Sequence, residues 1–159
     1  MNDPLFHVVL IEPEIPPNTG NIGRLCAGTN CVLHLVEPLG FQVDDKNLQR
    51  AGMDYWQHLE WHSWPNFSAL QSAHAQGRFF YFTTKTDRLY TSIAFQKGDF
   101  LVFGRETKGL PEPLLQANES SCVTIPMFNP KIRSLNLATS AGIALYEGIR
   151  QLGIGKTPK

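Results

Sequence analysis

The strongest constraint on the fold is a regular alternation of short apolar runs with helical patterns. Five apolar runs bounded by Gly, Pro, Asn or Asp are typical of β-strands: Phe6–Glu12, Val32–Val36, Arg78–Thr83, Phe100–Phe103 and Cys122–Ile125. Because helical segments separate these strands, the sheet is expected to be mainly parallel, with helices on both faces. The sequence therefore predicts the α/β class.

The predicted helices have recognisable starts and stops. The segments with such signals are Asn21–Thr29 before a left-handed Asn30, Asp44 or Asp45 to Arg50, Pro65–Gln76 before Gly77, and Pro111–Asn118. Proline fits the first turn of a helix, and glycine or asparagine after the last turn favours the left-handed backbone that ends it. Asn21 is expected to cap the first of these helices.

The last helix has the clearest pattern and is predicted to begin at Ser134 or Asn136. Five apolar residues recur on one of its faces: Ala138, Ala141, Leu145, Ile149 and Leu152. A second stripe, Ala144 and Gly148, is small enough for close helix–helix contact.

Length and composition favour a single domain, 1–159, with a loose tail at 153–159. The net charge is zero, yet residues 1–60 hold 3 basic and 8 acidic side chains, whereas residues 121–159 hold 5 basic and 1 acidic. An anionic partner would therefore meet the C-terminal part; ordinary scatter of charge is the alternative. Neither a leader peptide nor an apolar run of about 18 residues is visible, so a cytoplasmic location is expected.

The three cysteines are expected to be buried thiols. Their count is odd and no Cys-x-x-Cys occurs, which argues against a disulfide framework and a zinc site. No other metal-ligand cluster is evident, so no metal is expected.

Several familiar motifs fail at a decisive position. The C-terminal Gly-Lys-Thr lacks the earlier glycine of a phosphate-binding P-loop, because Arg150 stands there. His58 and His62 have the spacing of a zinc protease, but the glutamate between them is one position late, and a helical pair of surface histidines is predicted instead. The glycines of "NTGNIGRLCAGT" do not have the dinucleotide-binding spacing, and no Gly-x-Ser-x-Gly occurs.

Three unusual loops follow predicted strands, at the edge where ligands bind in this fold class. The first, "EPEIPPNTGNIGR", is stiffened by two prolines and carries Asn18; Arg24 lies about one turn inside the next helix, where the macrodipole disfavours a cation. Arg24 is therefore either solvated or meets an anion or a polar reactant. The second loop, "FGRETKGLP", lets a ligand approach the backbone at Gly104 and carries Glu106.

The third loop, "IPMFNPKIRSLN", holds two prolines, Lys131 and Arg133. Small polar residues crowd the start of the helix that follows, which indicates a site rather than a simple cap. No nucleophile and no paired carboxylates accompany these loops. A site of backbone groups, small polar side chains and arginines suits direct group transfer, in which alignment of donor and acceptor is the main requirement.

Together, "IPPNTGNIGRLC", "FGRETKGL" and "IPMFNPKIRSLNLATSAGIALYE" resemble the three motifs of the SPOUT, or trefoil-knot, RNA 2'-O-methyltransferases, and within them the minimal TrmL/YibK type. The resemblance spans roughly Phe6 to Leu152. It implies a C-terminal trefoil knot, S-adenosylmethionine as methyl donor and S-adenosylhomocysteine as product. It also implies a homodimer that binds tRNA and methylates the wobble cytidine or carboxymethylaminomethyl-type uridine of leucine tRNAs. We expect the stripe of Ala144 and Gly148 to lie at the contact of this dimer.

The resemblance also implies roles for individual residues. Cofactor contacts fall on Phe82, Thr83, Gly104, Glu106, Ile125, Met127, Ser134 and Leu135. Catalytic roles fall on Arg24 and Asn18, supported by Asn136 and Tyr146. RNA contacts fall on Arg105, which departs from the usual Pro or Ser of relatives, and on Lys131 and Arg133. Methylation of another tRNA or rRNA position, and a non-catalytic RNA-binding protein, are the alternative functions.

Overall fold

A computed structural model describes residues 3–43 and 54–154. The helix predicted from Asp44 or Asp45 to Arg50 lies outside these residues, as does most of the tail predicted to be loose.

Parallel strands form the centre of the fold. Within the described residues the sheet has six strands: β1 His7–Ile11, β2 Val32–Val36, β3 Trp61–Trp64, β4 Phe79–Phe82, β5 Phe100–Phe103 and β6 Cys122–Val123. Their spatial order is β3-β2-β1-β5-β4-β6, and every neighbouring pair is parallel. The predicted α/β class and the five predicted strands are confirmed.

The sequence did not predict β3, because its pattern is weak. The strand "WHSW" lies at the edge of the sheet, beside β2, and its two middle residues are exposed. The predicted helical pair of histidines is wrong for this reason. His58 ends a 3-10 helix, Asp54–His58, whereas His62 lies in β3. Both side chains are exposed, as expected.

Helix α1, Pro16–Gly28, begins five residues earlier than predicted. Ile15 is its N-cap, and the two prolines occupy the first turn, where a missing N–H has no intrahelical partner to lose. The prediction that Asn21 caps this helix is wrong, since Asn21 lies in the helix interior. Asn30, at φ 55°, has the predicted left-handed backbone.

The remaining helices are α2 Phe67–Ala73, α3 Glu112–Ala117 and α4 Leu137–Leu152. Helix α2 is shorter than predicted, because Asn66 caps it by accepting a hydrogen bond of 2.8 Å from the Ala69 amide. Asn136 caps α4, which agrees with one of the two starts predicted for this helix. Gly153 ends the helix with a left-handed backbone, at φ 72°.

Helix α4 packs its small residues inside the chain. Ala141, Ala144 and Leu145 are fully buried, and a Cβ added at Gly148 would lie 2.7 Å from Cζ of Phe6. The second stripe, Ala144 and Gly148, therefore provides close packing within one protomer. Its predicted use as a dimer contact is wrong.

Helices on both faces of the sheet complete two apolar cores. Cys26, Cys31 and Cys122 are free and buried, and burial raises the pKa of the Cys26 thiol well above its ordinary value. Within the described ranges, no helix is long and apolar enough to cross a membrane.

Four of the five histidines cluster near the amino-terminal ends of the strands, around His34. His7 Nδ1 lies 2.9 Å from His34 Nε2, and Trp64 Nε1 donates to His34 Nδ1 at 3.0 Å. His62 and His74 have ring centroids 5.6 and 5.5 Å from that of His34. Because indole only donates, neutral His34 carries its proton on Nε2 and donates it to His7. Burial, followed by the neighbouring histidines, lowers the pKa of His7 to about 4 and that of His34 to about 2.

Candidate active site

A cleft of about 530 Å³ opens at the carboxyl edge of the sheet. Three loops line it: loop 1, residues 12–15, leads from β1 to α1; loop 2, residues 104–111, leads from β5 to α3; loop 3, residues 124–136, leads from β6 to α4. The end of β4 completes the wall. This is the position at which open parallel sheets bind ligands, and the convergence of the three predicted loops is confirmed.

Two carboxylates join loop 1 to loop 2. Glu106 accepts hydrogen bonds from the backbone N–H groups of Glu14, at 3.1 and 3.2 Å, and of Ile15. In return, Glu14 Oε1 accepts from the Thr107 hydroxyl at 2.7 Å and from its amide at 3.1 Å. These hydrogen bonds lower the pKa of Glu14. Glu106 lines the cleft as predicted, but its carboxylate holds the start of α1, where negative charge is favourable.

Gly104 allows loop 2 to fold back on the end of β5. A Cβ at this position would lie 2.1 Å from the carbonyl carbon of Gly109 and 2.2 Å from the amide nitrogen of Leu110. The turn between them is closed by the Gly109 amide, which donates to the Arg105 carbonyl at 2.9 Å. Only glycine therefore leaves room for this backbone approach.

Two asparagines connect the starts of α1 and α4. The Asn136 amide donates to Asn18 Oδ1 at 3.1 Å, while Asn136 Oδ1 accepts from the backbone of Ala138 and Thr139. Asn18 is buried, with 8% of its surface exposed. The structure thus brings together two residues that are 118 positions apart and that were both predicted to act in catalysis.

All eight predicted cofactor residues line this one cleft. Phe82 forms part of an apolar floor, because its ring stacks on that of Phe103 with centroids 4.7 Å apart. Loops 2 and 3 surround this floor with backbone groups and small polar side chains. The cleft is therefore suited to a ligand with a flat apolar ring and polar substituents, and the individual contacts stay predictions.

Cations line the rim of the cleft. Of the three predicted RNA contacts, Arg105 and Arg133 line it, whereas Lys131 is exposed on loop 3 and does not. Arg105 is held at 3.5 Å from Glu12, at the end of β1. Sequence reasoning missed two lining cations, Lys85 and Lys108. Lys85 could have been found, since it follows β4 at the same edge of the sheet.

Arg24 and Tyr146 lie outside the cleft lining of the single chain. Arg24 is exposed on α1 and stacks over the Tyr55 ring at 5.7 Å, and Tyr55 in turn donates to the Gly20 carbonyl. Because α1 begins at Pro16, Arg24 is in its interior, and the prediction that it lies one turn from the helix start is wrong. Tyr146, on α4, is 56% exposed.

Residues 5–146 match the sequence model of the SpoU rRNA Methylase family. The chain belongs to this family. The predicted resemblance to SPOUT methyltransferases is therefore confirmed, and the three motif-bearing loops are those of a SpoU methylase.

Similar SpoU methylases match nearly the whole chain. A tRNA (cytidine(34)-2'-O)-methyltransferase of Methylovorus glucosotrophus is 51% identical, over 92% of this chain and 96% of its own length. The enzyme of the same name from Escherichia coli K12 is 45% identical, over 94% of this chain and 95% of its own length. A solved structure described as giving structural insights into the 2-OH methylation of C/U34 on tRNA is 42% identical. It has a TM-score of 0.87 and covers 93% of this chain and 96% of its own.

The shared architecture confirms the expected SpoU fold with its C-terminal knot. From β4 the chain moves inward to β5, then crosses to β6 on the outer side of β4, and α4 then returns to pack on α1 and β5. This return places loop 3 against loops 1 and 2. The knotted connection therefore builds the cleft of this SpoU methylase.

Proposed function

We propose that this SpoU methylase transfers a methyl group from S-adenosylmethionine to the ribose 2'-hydroxyl of the wobble nucleotide, position 34, of tRNA. The observation that carries the proposal is the agreement of two independent features. Relatives that are 45–51% identical over nearly their whole length are named for this reaction. The eight predicted cofactor residues, together with Asn18 and Asn136, also line one cleft.

The cleft fits the methyl donor in size and chemistry. Its volume of about 530 Å³ lies in the usual range for small-molecule sites. The floor at Phe82 and Phe103 accommodates an adenine ring, and the close backbone approach at Gly104 leaves space and peptide groups for the rest of the molecule. S-adenosylmethionine supplies an activated methyl group on a sulfonium, so the protein needs no nucleophile of its own.

Arg24 is the proposed group that orients the acceptor ribose. Its guanidinium stays protonated in proteins, so its role is to position the 2'-hydroxyl and stabilise the developing oxyanion rather than to remove the proton. Asn18 and Asn136 hold the adjacent ends of α1 and α4 in place through their mutual hydrogen bond. Tyr146 is the residue proposed to assist Arg24 in positioning the acceptor ribose.

A homodimer is part of this proposal. Arg24 and Tyr146 are both exposed, and neither lines the cleft of its own chain. In a dimer, these residues of one protomer meet the cleft of the other, so that tRNA binds across both subunits. Arg105, Lys131 and Arg133 contact the RNA backbone. The enzyme acts in the cytoplasm as a single domain, on leucine tRNAs.

Mass mapping of methylated nucleosides tests the proposal. Purified protein is incubated with S-adenosylmethionine and either unmodified tRNA or rRNA. The expected product is a 2'-O-methylated nucleotide at position 34 of tRNA. Methylation of rRNA, for which the family is named, would favour the second candidate function. An absence of methyl incorporation into either RNA would favour a non-catalytic RNA-binding protein.

A further inference from the structure

Phe128 is the most exposed of the large apolar side chains in the described residues, with 92% of its surface accessible. It follows Met127, which lines the cleft. Burial of an aromatic side chain is strongly favourable, so the chain gains nothing in folding from a phenylalanine held in water. An exposed aromatic ring on a loop that lines a binding cleft therefore points to a ligand.

The backbone of loop 3 holds this ring outward. Asn129 Oδ1 accepts a hydrogen bond of 2.9 Å from the Lys131 amide, and the Asn129 carbonyl accepts one of 3.0 Å from the Ile132 amide. Pro130 restricts the same turn. Phe128 thus stands directly before a hydrogen-bonded turn, and its exposure is a consequence of ordered local structure.

The charge around Phe128 indicates the class of ligand. No acidic residue occurs between Glu119 and Glu147, whereas Lys131 and Arg133 lie in this stretch. Among the described residues, neither cation has a carboxylate within 4.0 Å. An exposed aromatic ring on the same loop as unpaired cations is an arrangement that suits single-stranded nucleic acid, because the ring can stack on a base while the cations meet phosphates.

We propose that Phe128 stacks on an unpaired base of the RNA substrate, next to the nucleotide whose ribose enters the cleft. This inference rests on the proposed function and adds a substrate-binding residue to it. A second copy of the chain is the rival occupant. Contact between two copies of this patch about a two-fold axis would bring like charges together, which disfavours self-association through it.

Substitutions at position 128 separate stacking from simple apolar contact. The probe is an RNA hairpin with the sequence of a leucine tRNA anticodon stem and loop, titrated against full-length protein. Phe128→Ala is expected to weaken hairpin binding by about tenfold. Phe128→Leu is expected to weaken it similarly, because leucine is apolar but cannot stack. Phe128→Trp is expected to retain affinity. Binding of S-adenosylhomocysteine should be unchanged in all three variants.

Ile154→Ala is the matched control. Ile154 is 49% exposed but follows the C-terminus of α4, about 24 Å along the helix from the cleft. Its removal should leave hairpin affinity unchanged. Light scattering of Phe128→Ala should show the same assembly state as the parent protein.

Several outcomes would overturn the inference. Unchanged hairpin affinity of Phe128→Ala, or full affinity of Phe128→Leu, would show that Phe128 does not bind the RNA by stacking on a base. A changed assembly state would assign Phe128 to a contact between copies. If the parent protein methylates position 34 and Phe128→Ala does so equally well, only this inference fails. If the parent protein neither binds the hairpin nor methylates tRNA, the proposed function fails as well.

Discussion

Glu106 accepts hydrogen bonds from the backbone of Glu14, 92 residues earlier in the chain, and so joins two of the loops that line the cleft. Glu14 in turn accepts hydrogen bonds from the amide and the hydroxyl of Thr107, on loop 2. These hydrogen bonds are made within the chain itself, so the protein supplies the contacts that hold loops 1 and 2 in their relative position. Preorganisation of this kind lowers the cost of binding.

Replacement of Glu106 by glutamine should weaken this connection. An amide has one acceptor oxygen and no charge, so it cannot replace a carboxylate that accepts from two backbone N–H groups at a helix start. We expect a loss of about 1–3 kcal/mol in the free energy of unfolding, measured by urea denaturation, and weaker binding of S-adenosylhomocysteine. Glu119→Gln, at an exposed carboxylate, is the control and should change neither quantity. Equal behaviour of the two variants would contradict the role given to Glu106.

Gly104→Ala should abolish cofactor binding. Its Cβ would lie 2.1 Å from the Gly109 backbone, so loop 2 must move away from β5. Gly28→Ala is the control, because a Cβ there meets nothing within 4 Å. Calorimetric titration with S-adenosylhomocysteine measures the effect. Undiminished binding by Gly104→Ala would show that the loop 2 backbone does not form the site.

Arg24→Ala should remove turnover and spare cofactor binding. Loss of one group that stabilises a developing oxyanion typically costs about 10²–10³ in kcat. S-adenosylhomocysteine should bind with unchanged affinity, since the proposed contact of Arg24 is with the acceptor ribose and not with the methyl donor. Arg24→Lys keeps the charge but loses the planar fork, and we expect intermediate activity. Full activity of Arg24→Ala would refute the assigned role.

The stability of the protein should fall as the pH drops below about 6.5. The pKa values of His7 and His34 are lowered in the folded state, to about 4 and about 2, so between pH 4 and 6.5 the unfolded chain binds more protons. The stabilisation that comes from keeping these two histidines neutral is therefore fully present above about pH 6.5, the pKa of histidine in the unfolded chain, and it is lost as the pH falls. Each of the two histidines should contribute up to about 1.4 kcal/mol per pH unit to the decline in unfolding free energy.

Urea denaturation at pH 7.5, 6.0 and 5.0 checks this prediction. His58→Gln is the matched control, because His58 is exposed and lies outside the cluster around His34. Its pH dependence should equal that of the parent protein. Stability that is constant or rises toward pH 5.0 would show that the cluster is not a buried neutral network.

Much of the site could be predicted because its parts are local. Prolines, glycines and small polar residues directly after apolar strands mark the three loops, and the eight residues for which the resemblance implies cofactor contacts line one cleft. Sequence reasoning missed two lining cations. Lys85 could have been found from its place just after β4, whereas nothing in the sequence around Lys108 distinguishes it from a solvated lysine. Strand β3 escaped because an edge strand with exposed middle residues has little apolar signal.

The sequence by itself determined the α/β class, the central strands, the cap of α4 and the loops that carry the site. These features depend on local periodicity and on residues with restricted backbone conformations. Tertiary structure decided which groups those residues meet. Glu106 holds the start of α1, Asn18 meets Asn136, and Gly148 packs on Phe6. Each of these contacts joins distant parts of the chain, and only the folded sheet and the returning C-terminal helix bring them within reach.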